Sequence, residues 1–341
     1  MDVETVRIGV VGAGSWGTAL AGLLGEKGYA VDLWVYEPEV RQSIMETREN
    51  RMFLPGAELP GNIEASNDLS SVVKGKDVLL FVVPSHVMRE VSGQASHSID
   101  SDPVVVTASK GIENKTHLTM TGVLQQTLPP SLAARMSVLS GPTFAAEVAG
   151  KLPTVVTVAS VDAKTAAELQ QLFATPFFRV YTHDDVIGVE LGGAVKNVIA
   201  IASGIVDGLN LGLNTRAALI TRGLAEIRRL GIRVGANPHT FAGLAGIGDL
   251  LLTCTGSLSR NHTVGQKIGE GKSLDKILSE MNMVAEGVKT SKSVYNLSRR
   301  LGVEMPICHS VYAVLYEGLS TAEAIHQLMT RDLKDEMLDV R

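Results

Sequence analysis

Lys196 is the only charged residue between Glu190 and Asp207, in the run LGGAVKNVIAIASG at 191–204. Wound as a helix, this run puts Gly192, Gly193, Ala200 and Ser203 on the lysine's face, while Val195, Val198, Ile199, Ile201 and Ile205 point elsewhere. Two adjacent helical glycines cost about 1 kcal/mol each relative to alanine. The spacing therefore predicts that another body comes close on that face. An ammonium in such surroundings loses hydration, which lowers its pKa toward the range of proton transfer at neutral pH. The competing reading is a helix lysine paired with a carboxylate.

A second group of chemically useful residues lies at 243–262, GLAGIGDLLLTCTGSLSRNH. Asp249 is the only acid between Glu226 and Glu270, and reads as a helix cap, a site group or both. Ser259, Arg260 and Asn261 follow with a hydroxyl, a guanidinium and an amide in a row. The planar fork of an arginine suits a phosphate. Cys254 reads as a small buried residue, because nothing beside it would activate a thiolate. Lys110, in Ser109-Lys110-Gly111, could neutralise an anionic substrate; standing alone it would read as a solvated loop lysine.

The third group is Gly12-Ala13-Gly14-Ser15-Trp16-Gly17, directly after the strand-like VRIGVV and before a helical stretch. Glu37 follows twenty residues beyond Gly17. A GxGxxG alone is weak, but between a strand and a helix, with an acid at that distance, it is the full context of a dinucleotide-binding turn. Gly12 permits the tight turn, Gly14 admits a pyrophosphate to the backbone, and Gly17 lets helix and strand pack. Glu37 suits the free ribose hydroxyls of NAD; Tyr36 brings no charge, and Arg41 and Arg48 are the cations that NADP would need. Both cofactors stay open at this point.

These residues need elements to position them. β-Branched runs at 6–11, 30–35, 77–83, 103–107, 136–139, 154–159 and 177–181 alternate with helical or loop stretches. That predicts a largely parallel α/β sheet covered on both faces. Pro84-Ser85, Ser109-Lys110-Gly111 and Ser140-Gly141-Pro142-Thr143 fall where its strands should end, which is where such sheets bind ligands. After about residue 184 the pattern becomes helical, at 185–208, 215–230, 260–269, 274–281, 285–301, 307–317 and 321–330. Asn214 or Thr215 is placed to cap the second of these, and Ser320 with Glu323 forms a capping box. The expected division is 1–184 and 185–341.

The chain has 341 residues, a formal net charge of −5 and two cysteines, Cys254 and Cys308, far apart. An acidic balance disfavours general nucleic-acid binding. Two distant cysteines make neither a disulfide framework nor a zinc spacing, which points to a reducing compartment and no metal. VRIGVVGAGSWG lacks the basic start and cleavage site of a signal peptide, and no uninterrupted apolar run approaches the ~20 residues of a membrane span. The expectation is a cytoplasmic protein without a membrane anchor.

Seven segments resemble the bacterial glycerol-3-phosphate dehydrogenases: GAGSWGTALA (12–21), SKGIE (109–113), LSGPTFAAEVA (139–149), ELGGAVKNVIAIASGIVDG (190–208), NTRAALITRGLAEIRRLG (214–231), AGLAGIGDLLLTCTG (242–256) with SRN (259–261), and VAEGVKT (284–290). The resemblance runs from the first strand to at least residue 320. It implies a Rossmann-type NAD(P)-binding domain followed by an all-α domain like the C-terminal one of 6-phosphogluconate dehydrogenase. It also implies reversible reduction of dihydroxyacetone phosphate to sn-glycerol 3-phosphate with NAD(P)H, supplying glycerophospholipids, in a homodimer. By the same resemblance Lys196 exchanges the proton with the C2 oxygen, and Lys110, Gly141, Thr143, Asp249, Ser259, Arg260 and Asn261 hold the substrate. Ser15, Trp16, Lys110, Ala145, Arg260, Val284 and Glu286 contact the dinucleotide. Tyr36 departs from the basic residue or histidine of many relatives. The alternatives are a related two-domain hydroxyacid dehydrogenase, which would lack the SRN and GDLLLTC segments, and a non-catalytic NAD(P) sensor, which would need none of the proton chemistry.

Overall fold

The computed structural model describes residues 3–281 and 284–336. They form two compact units. One comprises the residues before Lys110 together with Met120–Val186; the other comprises Lys110–Thr119 and the chain from Ile187 onward. The second unit thus takes up a ten-residue excursion from the first half, a departure from a contiguous division near residue 184. Ser293 holds this excursion by donating to the Ile112 carbonyl at 2.8 Å, and the buried Ile112 joins the second unit's core.

In the first unit the strands are β1 (Arg7–Val11), β2 (Ala30–Trp34), β3 (Ile63–Ser66), β4 (Val78–Phe81), β5 (Val104–Thr107), β6 (Met136–Ser140), β7 (Thr154–Ser160) and β8 (Phe178–His183). They make one sheet in the order β3-β2-β1-β4-β5-β6-β7-β8. The first six run parallel, β7 pairs antiparallel with β6, and β8 runs parallel to β7. The 3-2-1-4-5-6 order is that of the doubly wound dinucleotide-binding fold. Ile8, Val10, Leu33, Val78, Leu80 and Val106 are wholly excluded from solvent, as central strands covered on both faces require. Strand β3 was not among the sequence-derived strands. Its four residues, Ile-Glu-Ala-Ser, form a short edge strand whose pairing with β2 is set by tertiary context rather than by a β-branched run.

The helices of this unit are α1 (Ser15–Glu26), α2 (Pro38–Thr47), α3 (Leu69–Val73), α4 (Met88–Ser96), α5 (Met120–Thr127), α6 (Ala145–Ala149) and α7 (Ala163–Phe173). Right-handed crossovers that run in opposite directions along the sheet place their helices on opposite faces. Accordingly α1 packs with α6 and α7, whereas α4 packs with α3 and α5.

The second unit is helical: α8 (Val186–Gly208), α9 (Gly212–Arg233), α10 (Asp249–Thr255), α11 (Arg260–Gly269), α12 (Leu274–Ser279), α13 (Glu286–Leu301), α14 (Pro306–Tyr316) and α15 (Thr321–Met329). Every residue of α8 from Gly188 to Val206 is buried, so the other helices surround it. This helix is long and apolar enough to cross a membrane by length and composition, although Lys196 interrupts its apolar run; here it forms the middle of a protein core. Helix α9 begins at Gly212, ahead of the expected caps Asn214 and Thr215. Thr215 Oγ1 instead donates back to the Leu211 carbonyl at 3.0 Å, as a threonine inside a helix does. Ser320 does cap α15, accepting from the Glu323 N–H at 3.1 Å.

Candidate active site

The glycine turn of the first unit can be tested position by position. Gly12 has φ +115°, and a Cβ there would lie 2.7 Å from the Val82 carbonyl oxygen. At Gly17 a Cβ would meet the Gly12 oxygen at 1.9 Å, so nothing larger than glycine lets α1 start this close to β1. Around Gly14 a Cβ would find no atom within 4 Å. Gly14 is also the N-cap of α1 and has no side-chain cap. The turn therefore offers an open helix N-terminus, the arrangement that takes a pyrophosphate. Trp16 adds a buried indole N–H with no acceptor among the described residues. These residues fit a dinucleotide.

Glu37 is the N-cap residue of α2, half-buried, and its carboxylate caps no backbone N–H there; Tyr36 beside it is 76% exposed. The two arginines are differently engaged. Arg48 donates to the carbonyls of Leu59, Pro60 and Ile63, whereas exposed Arg41, among the described residues, spends only its Nε, on the Ala65 carbonyl at 3.2 Å. Gly141, at the end of β6, has φ +146°, and a Cβ there would lie 3.0 Å from Val156 Cα. Thr143 donates to the Gly141 carbonyl at 3.2 Å, and Ala145 opens α6.

The second unit gathers Lys196, Asp249 and Lys110 around one carboxylate. Lys196 extends from α8, Asp249 opens α10, and Lys110 comes from the ten-residue excursion. Asp249 is fully buried; its Oδ1 accepts from Lys196 Nζ, and its Oδ2 from Lys110 Nζ at 2.6 Å. Lys196 also donates to Thr253 Oγ1 at 2.6 Å, and that hydroxyl in turn donates a hydrogen bond to the Asp249 carbonyl, again at 2.6 Å. Thr253 was not among the sequence-derived site residues. Its signal was present in the i, i+4 spacing from Asp249, which puts both side chains on one face of α10.

Burial pushes the Lys196 ammonium down from 10.5 to about 7; Asp249 opposes the shift, and Lys110 reinforces it. The catalytic and carboxylate-paired readings of this lysine are thus compatible: it is both paired and proton-labile. While Lys196 is protonated, two cations on one carboxylate give the cluster net positive charge, which suits an oxygen that becomes anionic as it reacts.

The approach that creates this geometry runs through the glycines. A Cβ on Gly192 would sit 2.4 Å from the Ala245 carbonyl oxygen. The body expected against that face is therefore the backbone of Leu244–Gly248, a single π-helical turn broken at Gly246 (φ −99°, ψ −106°), just ahead of Asp249. Single π turns of this kind recur at functional sites.

Ser259, Arg260 and Asn261 divide their work. Ser259 is buried and caps α11, accepting from the His262 N–H at 3.2 Å. Asn261 Oδ1 accepts from the Gly287 N–H at 2.8 Å, tying α11 to the start of α13. Arg260 is exposed on the first turn of α11; partial desolvation of its guanidinium lowers its pKa, and the Glu286 carboxylate works against that shift. Val284 is 41% exposed, ahead of α13. Buried Cys254 is inert, its thiol pushed up to about 12 by burial. Among the described residues no group of His, Cys, Asp or Glu could hold a metal.

A dinucleotide-binding sheet followed by a helical unit with a buried, proton-labile lysine defines the two-domain NAD(P)-linked dehydrogenases. Two family models then match in sequence order: the NAD-dependent glycerol-3-phosphate dehydrogenase N-terminus over residues 7–166 and the corresponding C-terminus over residues 185–326. The chain belongs to the NAD-dependent glycerol-3-phosphate dehydrogenase family. Among curated relatives, a glycerol-3-phosphate dehydrogenase [NAD(P)+] from Syntrophobacter fumaroxidans is 58% identical over 330 residues, covering 97% of each chain. A crystal structure of glycerol-3-phosphate dehydrogenase from Coxiella burnetii matches with a TM-score of 0.91 at 39% identity, covering 96% of this chain and 99% of that one. The Saccharomyces cerevisiae enzyme matches with a TM-score of 0.80 at 30% identity, covering 95% of this chain and 99% of that one.

Proposed function

We propose that this protein reduces dihydroxyacetone phosphate to sn-glycerol 3-phosphate, reversibly and with NAD(P)H, and so feeds glycerophospholipid synthesis. The observation that carries the reading is the Lys196–Asp249–Lys110 cluster in a chain of this family. A bound reduced nicotinamide supplies the hydride to the C2 carbonyl carbon. Lys196 supplies the proton: its ammonium protonates the C2 oxygen as negative charge develops there, and the neutral amine takes the proton back in the reverse direction. Asp249 and Thr253 fix the amine's position, so its proton is aimed before the substrate arrives. Lys110 adds positive charge beside the same carboxylate.

Arg260 is the assigned grip for the substrate phosphate, since its exposed guanidinium can form paired hydrogen bonds to phosphate oxygens. Ser259 and Asn261 support Arg260 through the cap of α11 and the tie to Gly287. Gly12, Gly14, Ser15, Trp16, Gly17 and Ala145 are the first unit's dinucleotide contacts. The working form is a homodimer in a reducing cytoplasm; the two free buried cysteines are in keeping with that compartment.

Initial rates of NADH and NADPH consumption with dihydroxyacetone phosphate, and with dihydroxyacetone, test the reaction. Lys196→Ala is expected to keep NADH binding and lose turnover by at least about a hundredfold. Arg260→Ala is expected to raise KM for the phosphorylated ketone without affecting cofactor-independent folding. Equal rates on the two ketones would remove the phosphate from the proposal, and near-normal turnover of Lys196→Ala would remove the lysine. Light scattering settles the dimer.

A further inference from the structure

We propose that Asn50 is a positioning residue for the dinucleotide, holding the glycine turn in its receptive shape from a loop that follows α2. Asn50 is wholly excluded from solvent, and its amide makes three hydrogen bonds. Its Nδ2 donates to the Ala13 carbonyl and to Thr18 Oγ1, both at 2.8 Å, and its Oδ1 accepts from the Phe53 N–H at 3.0 Å. Thr18 Oγ1 closes a triangle by donating to the same Ala13 carbonyl at 3.2 Å. Ala13 lies between Gly12 and Gly14, so the amide fixes the peptide from which the open N-terminus of α1 projects.

A second lacing runs in the opposite direction. Ser15 Oγ donates to the Phe53 carbonyl at 2.6 Å, so the Phe53 residue is held at its N–H by Asn50 and at its carbonyl by the turn itself. Phe53 and Trp16 both pack against the first unit's core, which anchors this lacing to a rigid body. The loop is organised on its own side as well: Leu54 N–H donates to the Asn50 carbonyl at 2.9 Å, and Gly56 N–H to Glu49 Oε1 at 2.7 Å.

The chemistry selects asparagine. The site needs two donors and one acceptor on a short side chain, which only an amide supplies at this length. An aspartate would set a carboxylate oxygen against the Ala13 carbonyl and leave both donations unmade. A glycine turn with Gly12 at φ +115° and no Cβ contact around Gly14 is intrinsically loose, so its shape must be imposed from outside. Asn50 imposes it. Ordering the turn before binding removes an entropy cost that the dinucleotide would otherwise bear.

The proposal rests on the glycine turn being the dinucleotide site, and the experiment separates the two. NADH is titrated into wild type, Asn50→Asp and Thr18→Val by fluorescence, alongside steady-state kinetics and thermal melts of the full chain. Failure of the wild type to bind either NADH or NADPH would overturn the site reading itself. With wild-type binding intact, Asn50→Asp, which loses both donations, is expected to raise both Kd and KM for NADH about tenfold or more. Both kcat at saturating NADH and KM for dihydroxyacetone phosphate should stay within about twofold. Thr18→Val, which keeps the shape and removes only the relay hydroxyl, should weaken NADH binding in the same sense and serves alone if Asn50→Asp does not fold. Lower melting temperatures with unchanged NADH affinity would make the amide merely structural and overturn the proposal. So would a fall in kcat with KM for NADH unchanged.

Discussion

Gly192 of α8 and Ala245 of the π turn approach so closely that a single methyl group on Gly192 would lie 2.4 Å from the Ala245 carbonyl oxygen. Backbone meets backbone here because α8 carries no side chain at that point, and the contact sets where the next residues of the chain lie. Four residues beyond Ala245 stands Asp249, the partner of Lys196, and Lys196 itself is one turn beyond Gly192. Gly192→Ala must therefore push the Leu244–Gly248 turn outward and carry Asp249 away from the lysine. The expected cost is on the order of 1–3 kcal/mol in stability, as for other overpacked interiors. A fall in kcat of about tenfold or more should accompany it, with KM for NADH little changed. Thermal melts and steady-state rates check both. Retention of full kcat would show that the Lys196–Asp249 contact does not depend on this approach.

The pH dependence of the two directions should be opposite. Burial lowers the Lys196 ammonium from 10.5 to about 7. Reduction requires the ammonium as acid, so kcat/KM for dihydroxyacetone phosphate should fall as pH rises through about 7. Oxidation requires the neutral amine, so kcat/KM for glycerol 3-phosphate should rise through the same value. Asp249→Asn removes the largest influence that holds the proton on, so its midpoint should move to lower pH. Parallel pH profiles in the two directions would mean that another group carries the proton.

Cofactor choice should follow Glu37. Its carboxylate stands half-buried at the start of α2 and caps no backbone N–H there, while Arg48 is committed to three loop carbonyls and Tyr36 carries no charge. Arg41 keeps the terminal nitrogens of its guanidinium for solvent or ligand, but a 2′-phosphate would still meet the Glu37 charge. The expected result is a lower KM for NADH than for NADPH. Glu37→Ser should narrow that difference by about tenfold, mainly by improving NADPH. An unmodified protein that prefers NADPH would assign the dominant role to Arg41.

Much of this was legible in the residues, and the exceptions have physical causes. The glycine turn could be read because Gly12 and Gly17 answer separate steric demands while Gly14 keeps the helix N-terminus open, and Lys196 because charge is rare in an apolar helix. Seven of the eight strands announce themselves as β-branched runs; β3 does not, since an edge strand of four residues draws its structure from its neighbour. The partner of Lys196 could not be found from spacing, because 53 residues separate it from Asp249 and only the packing of α8 on the π turn unites them. Ser259 and Asn261 stood out beside Arg260 as potential ligands, but a cap and a helix tie employ the same polar groups. The excursion Lys110–Thr119 carries its membership of the second unit in Ile112 and Ser293, a pairing across 181 residues.

Helix α14 begins with Pro306, which has no N–H, so Ile307 and Cys308 present its first donors, and Met305 at the N-cap offers no side-chain acceptor. Glu226 of α9 supplies the cap from another helix: its Oε1 accepts from Ile307 N–H at 2.7 Å and its Oε2 from Cys308 N–H at 3.1 Å. Burial raises this carboxyl from 4.5 to about 7, against the lowering effect of those two donors. Between about pH 4.5 and 7 the folded protein then holds a proton that the unfolded chain releases. The stabilisation linked to that proton is fully present below the unfolded value and is lost as pH rises through the folded one. Glu226→Ala leaves two buried donors without an acceptor and should cost about 2–3 kcal/mol. Glu226→Gln keeps one acceptor and removes the titration, so wild type should lose stability relative to this variant as pH climbs from about 4.5 to 7. Urea unfolding at several pH values measures the difference. A wild type that gains on the glutamine variant over that range would show that the two N–H donors outweigh burial and that the carboxylate stays ionised.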